Sequence, residues 1–146
     1  MALSADTPRA YGSGVDPQFN SLPCTSNVTI YEGSAVGEST TAGTYRALNG
    51  ADTFAGFAHE QVINPTSGTK RVKVRTKGIV RLAVTGASGN TDHGATVYAS
   101  DDGTFTLTNT TTNSAIGKVF QWITSTTCET LPPSEIHDSR VLPVMA

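Results

Sequence analysis

G-T-K-R-V-K-V-R-T-K-G-I-V-R-L-A-V-T-G runs from Gly68 to Gly86, and its reading decides the fold class. Val72, Val74, Thr76, Val80, Leu82 and Val84 share one parity, while Arg71, Lys73, Arg75, Lys77 and Arg81 share the other. Side chains alternate across a strand, so the spacing predicts a ribbon with a β-branched, apolar face and a face carrying five cations. Six of the ten basic residues of the chain fall in this stretch. Gly78 interrupts it and marks a bulge or bend.

Reading outward, the pattern repeats. Val97 and Ala99 alternate with Thr96 and Tyr98, and Phe105 and Leu107 alternate with Thr104, Thr106 and Thr108. Asp102-Gly103 between them reads as a two-residue hairpin turn. Ile116 to Ile123 is the last strong strand and holds the only Trp, Trp122. Upstream, Val28-Thr29-Ile30-Tyr31 and Thr44 to Leu48 are β-prone, and Asn49-Gly50 is a second turn signal of the same kind. Phe54-Ala55-Gly56-Phe57-Ala58 continues to Val62-Ile63; Gly56 there predicts a close approach by a neighbouring backbone. The expected fold is mainly β: a small barrel or sandwich of about seven short strands.

Composition agrees. The 146 residues are 15% charged, against about 25% in ordinary globular chains. Thr, Ser, Gly and Asn replace the charges and suit strands and tight turns better than helices. A chain of this length buries about 70% of its unfolded surface, enough for a core without staples. The formal net charge of −2 does not draw the whole molecule to nucleic acid or an anionic membrane. No apolar run approaches the ~18 residues of a membrane helix. The first residues lack the pattern of a signal peptide, so Cys24 and Cys128 are expected as free thiols in a reducing cytosol.

The ends differ from the middle. Residues 1–25 hold Pro8, Pro17 and Pro23 and no periodic apolar face, and read as an extended N-terminal arm. Residues 26–128 form the β-rich core, and 129–146 a Pro-containing C-terminal tail.

Signals for catalysis are sparse. No serine sits in a G-x-S-x-G elbow. Cys24 and Cys128 are not in C-x-x-C, and His59, His93 and His137 are scattered. Neither His59-Glu60 nor Asp92-His93 has the spacing that fixes two metal ligands together. No cofactor, metal or enzymatic activity is expected. The basic row has two readings: a docking face for a row of carboxylates or phosphates ~7 Å apart, or a solvated edge kept from stray pairing. Nucleic acid would call for aromatics between the cations, and Val, Thr and Ile stand there instead. Trp122, Phe120 and Tyr98 offer an alternative as a sugar platform, with the chain then a carbohydrate- or surface-binding β-module, such as part of a tail or fibre.

From Phe54 to Val119 the chain resembles the capsid decoration, or cement, proteins of tailed bacteriophages, the lambda-type head decoration group. The matching pattern is a G-x-x-V-Y-x-x-x-x-G run followed by an I-G-x-V strand, here Gly94, Val97, Tyr98, Gly103, Ile116, Gly117 and Val119. It covers about half the chain; the long arm before Cys24 and the Pro-rich tail fall outside it, and the basic row, though within the span, is not one of its signatures. The resemblance implies a β-rich homotrimeric knob on the outer surface of a virion. It is assembled in the host cytoplasm and clamps neighbouring major capsid subunits, with no direct contact to nucleic acid or membrane. Candidate capsid contacts are Pro8, Arg9, Tyr11, Pro17 and Phe19 in the arm, and Arg71, Lys73, Arg75 and Lys77 in the basic row.

Overall fold

A computed structural model describes residues 2–11, 18–40, 43–66, 70–124 and 127–131. Among them are twelve strands and one 3-10 turn at Asn90–Asp92. The strands are β1 (Gln18–Pro23), β2 (Val28–Ile30), β3 (Ala35–Glu38), β4 (Tyr45–Ala47), β5 (Thr53–Ala58) and β6 (Val62–Asn64), followed by β7 (Arg71–Lys77), β8 (Val80–Thr85), β9 (Thr96–Ala99), β10 (Phe105–Thr106), β11 (Ser114–Thr124) and β12 (Thr127–Leu131). The fold is mainly β, as expected. Five strands close into a barrel in the order β10-β8-β12-β11-β9, and five more form a sheet in the order β1-β7-β5-β3-β4. The sheet curls until its edges nearly meet: Cys24, next after β1, bridges Tyr45 of β4. β2 and β6, distant in sequence, pair antiparallel as a separate two-stranded sheet.

The basic stretch alternates as its sequence dictates. Val72, Val74, Val80, Leu82 and Val84 are all buried. Gly78 is the hinge between two architectures, because β7 belongs to the curled sheet and β8 to the barrel. Its φ of +124° is a backbone state that side chains rarely adopt. The five-cation face therefore divides. Arg71, Lys73, Arg75 and Lys77 stay on β7, and Arg81 goes with the barrel, where it pairs with Glu129 at 3.2 Å.

Two cores lie on opposite sides of the curled sheet. The first fills the barrel with Val80, Leu82, Val84, Val97, Phe105, Ile116, Val119 and Cys128, joined by Ala35, Leu48 and Phe57. The second gathers Leu22, Cys24, Ile30, Val36, Ala58, Val62, Val72 and Val74. Adjacent residues of one strand thus serve different cores, Phe57 the first and Ala58 the second. At about 1.5–3 kcal/mol per buried Val, Leu or Phe, these two clusters are the main source of stability. Cys24 and Cys128 are free thiols, one in each core.

Several expectations need correction. The loop Ser100–Thr104 does join antiparallel β9 and β10, but Gly103 is not left-handed, so the turn is not the two-residue kind. Asp101 Oδ1 accepts the Gly103 N–H, and Asp102 turns inward, which a two-residue turn has no room for. Asn49-Gly50 makes no hairpin either, because β3 lies between β4 and β5. There Asp52 gathers the Asn49 N–H and the Arg46 guanidinium and folds the connection back on itself. The tail boundary at residue 129 cuts through β12, whose Thr130 is buried.

The described residues of the first 25, 2–11 and 18–25, do not form a free arm. β1 is a full strand of the sheet, with Leu22 and Cys24 in the second core. Residues 2–11 lie against the body. Thr7 N donates to Glu32 O at 2.8 Å, Arg81 N to Ala10 O at 2.9 Å, and Tyr11 bridges Val80. Gly33 makes this possible: a Cβ there would sit 1.8 Å from the Thr7 carbonyl oxygen.

A candidate cation-bearing binding face

Beside β7, at the edge of the sheet, β1 lies antiparallel with Phe19 opposite Arg75, Ser21 opposite Lys73 and Pro23 opposite Arg71. Opposite residues of a strand pair share a face, so the cations meet β1 side chains directly. Arg71 donates through Nη2 to Ser21 O at 2.7 Å and through Nε to Ser21 Oγ at 3.2 Å. Lys73 Nζ lies 4.6 Å from the Phe19 ring centre, and the Arg75 guanidinium 4.0 Å from that of Tyr11. His59, from the end of β5, meets Phe19 edge-on at 4.9 Å between ring centres.

Clustering of cations without ion pairs sets this face apart; Arg9, Lys70 and Lys118 also lack an ion pair among the described residues, but only here do several stand in one row. Among the described residues Arg46 pairs with Asp52 and Arg81 with Glu129, yet Arg71, Lys73, Arg75 and Lys77 make no ion pair with a carboxylate. Glu60 spends one oxygen on the Lys73 backbone N–H. Arg71 and Lys73 are exposed, Lys77 is half-buried, and Phe19 keeps 40% of its surface exposed.

The β1 edge beside this face is blocked against strand pairing at Ser21 and Pro23. Cys24 N donates toward β7, to Lys70 O. Backbone groups alternate in direction along an antiparallel pair, so Leu22 and Asn20 also point at β7, while Pro23 and Ser21 point outward. Pro23 has no N–H to offer. The Ser21 N–H is taken by Asn20 Oδ1, and the Ser21 carbonyl by Arg71 reaching over the strand.

The candidate contact residues divide accordingly. Phe19, Arg71, Lys73 and Lys77 gather on this face. Arg75 is locked at the junction with the barrel, between Tyr11 and Lys77 O. Pro8 is exposed but stands apart on the first segment. Pro17 lies outside the described residues, as does His137. Arg9 points inward, which removes it from an outward set. Its Nε donates to Gly33 O at 2.8 Å, and its guanidinium lies over Phe57 and Phe105. Burial lowers its pKa, and Nη2 is buried with no hydrogen-bond partner among the described residues. Near it, Asp102 accepts from Leu3 N and Ser34 Oγ, and burial pushes its carboxyl pKa up.

The premise used against nucleic acid also changes, because Tyr11, Phe19 and His59 arrive among the cations from outside the stretch. They are not free platforms, however: cations cover the Tyr11 and Phe19 rings. The roles of His59 against Phe19 and of Ser21 and Asn20 at the edge are invisible in sequence, because only the β1–β7 register creates them.

Elsewhere, an open cleft of about 260 Å³ lies between Ala51–Phe54 and Asn113–Ala115. Its Ser114 hydroxyl is already engaged by the Gly50 and Asp52 carbonyls. Trp122 is half-buried and packs against the barrel core. No three His, Cys, Asp or Glu side chains among the described residues converge as a metal site requires. No protein-family model and no curated protein matches the chain.

Proposed function

We propose that the chain is a structural binding protein, a capsid decoration or cement protein that sits on the outside of a tailed-phage head and clamps neighbouring major capsid subunits. The observation that carries this reading is the outward face of Phe19, Arg71, Lys73 and Lys77, whose cations have no carboxylate partners among the described residues of a chain of net charge −2. Such a face binds through an anionic counterpart. The pattern from Phe54 to Val119, with its resemblance to head decoration proteins, supports the choice of counterpart. A homotrimer repeats the face three times, and the avidity of several anchored copies lets individually weak contacts hold. The rival sugar-platform reading draws no comparable support, since Trp122 packs on the core.

The test is sedimentation of the purified chain with expanded heads built from the major capsid protein encoded with it. The wild-type chain should co-sediment, and the doubly reversed Arg71→Glu/Lys73→Glu chain should not. Equal co-sedimentation of the two would remove the face from capsid binding. Absence of wild-type binding would end the cement reading.

A further inference from the structure

We infer that the ligand of this face is an extended acidic polypeptide segment with carboxylates at every second residue. It lies across the β1–β7 face and is held through side chains, not through an added strand. The inference rests on the cement reading for its biological setting, but not for its chemistry. Three observations lead to it.

Spacing is the first. Arg71 and Lys73 are two residues apart on one face, and Lys77 follows on the same parity with Arg75 recessed between. Same-face residues of a strand repeat every ~7 Å, so an extended segment with alternating acids presents carboxylates at the matching interval. Arg and Lys donating to a carboxylate make the shorter, stronger class of hydrogen bond.

Closure of the edge is the second. Pro23, the Asn20 side chain and the Arg71 guanidinium occupy the outward backbone positions of Ser21 and Pro23. A ligand therefore gains little from main-chain pairing at β1, and specificity comes from the charges on the face.

Ring coverage is the third, and it separates the acidic polypeptide from single-stranded nucleic acid. A base needs an open aromatic face to stack on. Lys73 lies over Phe19 and Arg75 over Tyr11, and His59 closes on Phe19 edge-on. The exposed part of Phe19 offers an apolar contact beside the cations, suited to the methylene carbons of an acidic side chain, since the residue between two acids points away from the face.

The experiment is fluorescence anisotropy with the full chain and three labelled probes: a repeating Thr-Glu peptide, an isomer with all its glutamates in one block, and a thymidylate oligomer of equal charge. The alternating peptide should bind at least tenfold tighter than either control. Binding should weaken at high salt, and Arg71→Glu/Lys73→Glu should reduce it at least tenfold. Arg71→Gln/Lys73→Gln, a milder change at exposed positions, should weaken it as well, with near-ultraviolet circular dichroism confirming the fold of both variants. Equal binding of the block isomer overturns the spacing. Equal or tighter thymidylate binding overturns the polypeptide class. No peptide binding, or binding unmoved by the variants, overturns the site. Peptide binding by a chain that ignores heads leaves the ligand class standing and sinks the cement reading; head binding without peptide binding does the reverse.

Discussion

At Gly56 the neighbouring strands β5 and β7 approach so tightly that a Cβ would lie 2.6 Å from the Arg75 carbonyl oxygen, and its φ of +149° already excludes most side chains. Gly56→Ala should cost about 2–4 kcal/mol in urea unfolding, as strain and clash add; a loss under a few tenths would mean that β5 and β7 can part without penalty. Asp102 makes a different residue-scale prediction. Burial raises its folded pKa above the unfolded value, so the folded state holds this proton more readily. Stability from this group therefore rises as pH falls through the raised folded pKa toward the unfolded value near ~3.9, and falls in the opposite direction. Asp102→Asn lacks the titration. The stability difference, wild type minus variant, should be larger at pH 4 than at pH 7, and a constant difference would rule out the effect. Neither residue announces its role in sequence. Gly56 reads as a place of close approach without naming its neighbour, and Asp102 reads as half of a turn.

Among the elements, the first segment changes most. Deleting residues 1–25 removes β1 and with it Leu22 and Cys24 from the second core; the product should lack cooperative unfolding and near-ultraviolet dichroism. Deleting residues 1–11 spares β1 but removes the bonds to Glu32, Gly33 and Arg81. That chain should fold with about 2–4 kcal/mol less stability, each lost bond contributing about 1 kcal/mol. A fully stable 26–146 chain would show that the first 25 residues are the free arm their composition implies. Composition misleads here because anchoring comes from backbone bonds and one inward arginine, neither of which has a periodicity. The β7–β8 stretch was readable because its alternation runs for many residues. Strands of two or three residues such as β10, β2 and β4 are too short to show a period, so the sequence predicts about seven strands where the described residues form twelve. Within the face, the cations were visible in sequence. Their aromatic and hydroxyl neighbours depend on which strand lies beside β7, and nothing local encodes that.

For the whole molecule, the decisive arrangement is one sheet between two cores. Because Phe57 and Ala58 bury on opposite sides of β5, one core cannot loosen without disturbing the other. Cys24 and Cys128 report on each core separately, and burial raises the pKa of both thiols, which slows their reaction. Thiol labelling across a urea series should give both cysteines one common midpoint; two midpoints would show that the cores melt independently. The Arg71 contact with the Ser21 carbonyl has a consequence at this scale too. The same guanidinium shields the outer edge of β1 and stands first in the cationic row. An anion that draws Arg71 away from Ser21 uncovers that carbonyl and leaves the strand less protected than before. Capture of one partner and tolerance of crowding by like copies are thereby tied to a single side chain, and each is weakened when the other claims it.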